Sequence, residues 1–144
     1  MSLQIVQLGS RRRKGEGLRI GTVRWPPRGV PKERYAAEDW FDVWLPNLSP
    51  SRELIEAFKW DPSPRASDKF ARRFRREMST PENSRVLDML AALSHSSNFS
   101  VGYCSDENHC HRSVLRELFE ERAHQYPVSH ALLQLRCEYV DHFN

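Results

Sequence analysis

Residues 109–112, His109-Cys110-His111-Arg112, set a thiol, two imidazoles and a guanidinium side by side. They fall where a strand-like run gives way to a helix-like one. Phe99, Val101 and Tyr103 alternate with smaller residues as a strand does, and Ser105-Asp106-Glu107-Asn108 favours a loop. From Ser113 the pattern is helical, with Val114, Leu115, Leu118 and Phe119 on one face and Arg116, Glu117, Glu120 and Glu121 on the other. The free N–H groups of a first helical turn, with the helix dipole behind them, favour an anion. A cysteine placed there tends towards thiolate, and a histidine can exchange a proton near neutral pH. Cys110 and His111 are therefore the candidate catalytic pair, with Arg112 as an anion ligand.

Two sharper readings fail on spacing. Cys104, His109, Cys110 and His111 are all zinc-ligand types, but three adjacent side chains diverge and no second pair occurs elsewhere, so no metal and no cofactor is expected. A phosphatase-type Cys-x5-Arg loop is excluded because the sixth residue after Cys104 is Cys110 and Arg112 lies two after Cys110. The plain alternative makes Cys104 and Cys110 packed small hydrophobes and His111 and Arg112 caps for local carbonyls.

A second candidate stretch is Arg24-Trp25-Pro26-Pro27-Arg28-Gly29-Val30-Pro31-Lys32. Its prolines remove backbone donors and stiffen the chain, so it is neither helix nor central strand. A rigid loop holding Arg24, Arg28 and Lys32 suits a phosphate or carboxylate. The competing reading pairs these arginines with Glu38, Asp39 or Asp42. Asp42 lies in the aromatic run Trp40-Phe41-Asp42-Val43-Trp44-Leu45, and if buried it needs a cation, Arg24 or Arg28 being the obvious candidate. The ligand-binding set is thus Arg24, Arg28, Lys32, Asp42 and Arg112, and the expected partner is an anionic small molecule.

The elements that must position these residues read as follows. Residues 3–8 and 18–23 form two strands, expected to pair as a hairpin. Residues 40–45 form a short buried strand or packed extended segment. Helices follow over 51–59 (capped by Ser49-Pro50, with Leu54, Ile55 and Phe58 inward), over 67–78 (Phe70, Phe74 and Met78 inward), and after Thr80-Pro81 (Val86, Leu87, Leu90 and Leu93 inward). A last helix spans 130–143. A few strands among about five helices give an α/β fold, a single small sheet with helices packed on it, in one domain.

The chain has 144 residues, enough for a core without disulfides. No run of about 18 apolar residues is present, so no membrane span or membrane partner is expected, and the first residues lack a signal peptide's apolar core. Three cysteines, an odd set, fit a reduced, cytoplasmic setting. The net charge of +3 is uneven: residues 1–36 carry nine basic and two acidic residues, and the remainder is net negative. That split suggests an anionic partner near the N-terminal third, the plainer reading being that residues 11–14 form a solvated loop tip. One alternative function is a nucleic-acid module using residues 11–14, Arg19 and the basic face at 69–76. Another is a non-catalytic interaction protein whose last helix packs on a second copy. Trp25 and Trp40 are expected in the core.

The ordered motifs also carry a resemblance. The Arg24–Lys32 loop, Asp42-Val43-Trp44-Leu45-Pro46-Asn47-Leu48-Ser49-Pro50-Ser51, Phe70-Ala71-Arg72-Arg73-Phe74-Arg75-Arg76-Glu77-Met78 and the run from Tyr103 to Ser113 together resemble the YeaO-like family, domain of unknown function 488. The likeness covers about 18–121 and leaves 122–144 as a C-terminal helical extension. It implies a three-layer α/β fold, and it implies that the proline-arginine loop and the Cys-His-Arg turn belong to one site. Val23 stands where many members have an acidic residue, which argues against carrying over a catalytic carboxylate at that position.

Overall fold

The computed structural model describes residues 3–103 and 111–126. Cys104, His109, Cys110, the loop at 105–108 and the expected helix over 130–143 lie outside the described residues. A four-stranded sheet is built from β1 (Leu3–Gln7), β2 (Leu18–Gly21), β3 (Val43–Trp44) and β4 (Phe99–Tyr103), in the order β1-β4-β2-β3. Every pairing is parallel. Among the described residues the α-helices are α1 (Arg52–Phe58), α2 (Pro64–Met78), α3 (Pro81–Leu93) and α4 (Arg112–Gln125).

The expected β1–β2 hairpin does not form. β4 lies between the two, with Leu3 and Leu18 both opposite Phe99, and Ile5 and Ile20 both opposite Val101. Burial explains the order. Phe99, Ser100, Val101 and Gly102 are all buried, so β4 needs cover on both faces, whereas β1 exposes Gln4 and Gln7 and tolerates an edge. Residues 8–17 therefore cross the sheet instead of turning back beside β1.

Strand alternation divides the two faces. Ile20, Phe99 and Val101 point into the core, where they join Leu54, Phe70, Phe74, Met78, Leu87, Leu90, Val114, Leu115, Leu118 and Phe119 from the four helices. The opposite face carries Arg19, Ser100, Gly21 and Gly102 and is covered by the connections 8–17 and 24–42. Gly21 and Gly102 are paired across β2 and β4, and each lacks a Cβ where one would strike a covering side chain, Phe41 over Gly21 and Leu8 over Gly102. The third layer of this α/β domain is thus made of irregular chain.

Several local details differ from expectation. Ser51 caps α1, accepting from the Leu54 N–H at 3.1 Å, while the Ser49 hydroxyl donates to the Pro46 carbonyl. Helix α2 begins at Pro64, three residues before the expected start, with Ser63 as its cap accepting from the Ala66 N–H at 3.2 Å. Only Val43–Trp44 of the aromatic run is strand, and it is an exposed edge. Phe41 is buried and Trp40 half-buried, but Trp25 is 55% exposed and is no core residue. Leu93 is likewise exposed. Among the described residues no helix is long and apolar enough to cross a membrane.

Candidate functional site

In a parallel sheet, ligands bind outside the carboxyl ends of the strands. Here those ends release residue 22 from β2, residue 45 from β3 and, after residues 104–110, His111 following β4. Since β2 and β4 are neighbours, the two motifs leave adjacent strands. Thr22 joins them. Its N–H and Oγ1 both donate to the Gly102 carbonyl, at 3.0 and 2.8 Å, and Oγ1 lies 3.3 Å from His111 Nε2. With the hydroxyl proton on Gly102, an Oγ1 lone pair faces the imidazole, which then donates from Nε2. His111 is fully buried and meets the Phe74 ring edge-on at 5.5 Å. Its carbonyl accepts the Leu115 N–H at 3.0 Å, which starts α4.

The arginines and the lysine divide into different environments. Arg24 reaches over the end of β3, donating from Nε to the Pro50 carbonyl (3.0 Å) and from Nη2 to the Ser49 carbonyl (3.1 Å). It lines a polar cleft of about 330 Å3 with Asn47, Ser51, Glu77, Thr80 and Asn83. The Ser51 N–H donates to Glu77 Oε1 at 2.9 Å, and the Glu77 carbonyl accepts from Asn83 Nδ2 at 3.0 Å, so the wall of the cleft is internally wired. Arg28 is exposed and makes no ion pair with a described residue. Lys32, also exposed, opens a single 3₁₀ turn, Lys32–Arg34, and borders a separate groove of about 290 Å3 with Pro26, Tyr35, Phe41, Asp42 and Trp44. Arg112 is exposed with its guanidinium 4.7 Å over the Tyr103 ring, beside Ile5 and Arg116 on the β1 side of the sheet. Arg24, Lys32 and Arg112 therefore line three different depressions.

Asp42 takes neither Arg24 nor Arg28 as its cation. Its carboxylate is held by both Nη atoms of Arg12, at 2.7 and 2.9 Å, and accepts the Arg19 N–H at 2.8 Å. Burial pushes the Asp42 carboxyl up, but these hydrogen bonds outweigh it and the net shift is down, while Arg12 is raised in turn. Residues 11–14 are therefore not simply a solvated tip: Arg12 fastens one covering connection to the other. Arg19, expected on a nucleic-acid face, is fully buried and unavailable to one. It donates from Nε and Nη2 to Glu16 at 2.7 and 3.0 Å, and from Nη1 to the Ser10 and Asp39 carbonyls. Ser100 and the Arg13 N–H also donate to Glu16. Chiefly through Arg19, the Glu16 carboxyl is lowered to about 2.

Thr22, Glu77 and Asn83 were missed by spacing arguments. Thr22 had a usable signal, as a hydroxyl at a strand end just before the arginine loop. Glu77 and Asn83 join Arg24 only through the packing of α2 and α3; Glu77 stands in the Phe70–Met78 motif, but no spacing places either residue beside Arg24.

The family model of DUF488-N3a, the active DUF488-N3 subclade, matches residues 3–123. No curated protein and no solved structure matches the chain. The chain belongs to the DUF488-N3a family.

Proposed function

We propose that this DUF488-N3a member binds a phosphate- or carboxylate-bearing small molecule at the carboxyl edge of its sheet, between the Pro/Arg loop and the Cys-His-Arg helix start. The observation that carries the reading is the 3.3 Å contact of Thr22 with His111, which brings the two motifs to neighbouring strand ends. Arg24 supports it: with Nε and Nη2 fixed on carbonyls, its Nη1 makes no hydrogen bond to a described residue, and the cleft beside it carries the hydroxyl-bearing Ser51 and Thr80 and the amide-bearing Asn47 and Asn83, while the Glu77 carboxylate there accepts the Ser51 N–H. Arg28 and Arg112 supply exposed charge on the two flanking segments. Asp42 belongs to the frame, its oxygens being filled by Arg12 and the Arg19 N–H. Cys110 is the nucleophile of a reaction at this site, with His111 beside it, a role that fits a subclade designated active. Three cysteines fit a reducing, cytoplasmic setting.

Inorganic phosphate and citrate are the first probes. Either should raise the melting temperature of the wild-type protein, and Arg28→Ala or Arg112→Ala should abolish that rise while leaving the unliganded melting temperature unchanged. A rise that survives both substitutions removes these residues from the site. For Cys110, alkylation is followed against pH with Cys104 and Cys137 changed to Ser. A thiolate already formed below about pH 7, against about 8.5 for a free thiol, supports nucleophilic chemistry; an unreactive thiol leaves binding alone.

A further inference from the structure

The solvent face of α2 is a separate feature. Ala66, Phe70, Phe74 and Met78 are its buried stripe. At 100° per residue, Arg65, Lys69, Arg72 and Arg76 fall on one line directly opposite, at i, i+4, i+7 and i+11, spanning about 17 Å of helix. All four are exposed, and none forms an ion pair with a described residue. Their neighbour Arg75 shows the contrast. It turns towards α4 and holds Glu117 at 2.6 Å and Glu121 at 3.2 Å, so the nearby acids are committed there. Asp68 flanks the stripe, without an ion pair to it. Four aligned cations repel one another, and an anionic polymer along the helix relieves that repulsion.

A second observation selects the polymer. Trp60 is 84% exposed, the largest exposure among the exposed large hydrophobic residues of the described chain. It lies in the connection from α1 to α2, and Lys59 Nζ sits 5.0 Å over its ring. The end of α1 is fixed against the flank of α2, because Phe58 meets the Phe70 ring edge-on at 6.1 Å and lies under the Arg73 guanidinium at 5.5 Å. Trp60 lies two residues beyond Phe58 and five before Arg65, the first cation of the stripe. An exposed indole and a row of exposed cations are the two elements that single-stranded nucleic acid uses, phosphates on the charges and a base on the ring.

We infer that α2 and Trp60 form a binding surface for single-stranded nucleic acid, distinct from the carboxyl-edge site. Neutralising four phosphates on a single strand gives a slope of about −2.8 for log K against log salt. The test is fluorescence anisotropy of a labelled oligothymidylate with the full chain across a salt series. Arg72→Gln with Arg76→Gln should halve the slope to about −1.4. Trp60→Ala should weaken binding about tenfold at every salt concentration and leave the slope unchanged. Both changes are on exposed side chains, and unaltered melting temperatures show that the fold is kept. Absence of binding at low salt overturns the proposal, as does binding that ignores both sets of substitutions. Equal competition by polyglutamate or by anionic vesicles, with Trp60 indifferent, also overturns it in favour of a general acidic partner.

Discussion

The two faces of the sheet solve the same problem with different chemistry. On the helix face, Ile20, Phe99 and Val101 meet four helices and the contact is almost wholly apolar. On the loop face, Arg19 and Ser100 meet Glu16, while Gly21 and Gly102 make room for Phe41 and Leu8. A helix satisfies its own backbone hydrogen bonds and can present a purely apolar stripe. Irregular chain cannot, so the carbonyls of Ser10 and Asp39 need donors, and Arg19 supplies both from one guanidinium. The buried ion pair exists because loops, not helices, cover that face. The candidate site draws on both: its arginine loop belongs to the loop layer, Glu77 belongs to α2, and His111 is the residue from which α4 starts.

That contrast can be broken most sharply at Glu16. Changing Glu16→Ala leaves the Arg19 guanidinium buried without its carboxylate, and unfolding in urea should show a loss of about 3–5 kcal/mol. The double change Glu16→Gln with Arg19→Met should be less damaging than Glu16→Ala alone, since no buried charge is left uncompensated. A double variant as unstable as the single one would mean that packing, not charge, holds the loop layer. Phe74→Ala on the helix face should lose a comparable 3–5 kcal/mol through a cavity, and there no companion substitution of charge can restore it.

Close approach gives the next largest effect. Gly102→Ala drives a methyl into Leu8 and should destabilise by about 1–3 kcal/mol, with Leu8→Ala recovering much of the loss. The absence of recovery would show that Leu8 does not set that spacing.

Acid should reveal the same asymmetry. The Glu16 carboxyl is depressed in the folded state, from 4.5 to about 2. Its contribution is therefore fully present above about pH 4.5 and is lost as pH falls from there through about 2. Asp42 shifts in the same direction. Urea midpoints taken from pH 6 downwards should fall steeply in the wild type below pH 4.5 and less steeply in Glu16→Gln. Parallel curves would assign the acid sensitivity elsewhere. The smallest effect is expected at Arg75→Ala, where exposed pairs with Glu117 and Glu121 contribute below about 1 kcal/mol.

Much of the helix face was legible in the chain. Phe70, Phe74 and Met78, and Val114, Leu115, Leu118 and Phe119, are inward as their spacing requires, because helical periodicity is written locally. The strand β4 and the helix start after it were legible for the same reason. Strand order was not. Adjacent strand-like runs suggest a hairpin, and only the need to cover β4 on both faces places it between β1 and β2. The partner of Asp42 was hidden similarly: Arg24 and Arg28 are nearer in sequence, but the crossing of residues 8–17 delivers Arg12.

By itself, then, the sequence determined where most of the described strands and helices lie, the apolar side of those helices apart from Leu93, and the likeness that the DUF488-N3a match over residues 3–123 bears out. These depend on side-chain periodicity and ordered motifs, which need no knowledge of distant contacts. The tertiary structure alone decided the parallel order of the sheet, the irregular second cover, the burial of Glu16 with Arg19, and the meeting of Thr22 with His111. Each of those joins residues far apart in the chain or requires a choice among competing partners, and such choices are settled by burial and hydrogen-bond satisfaction over the whole molecule.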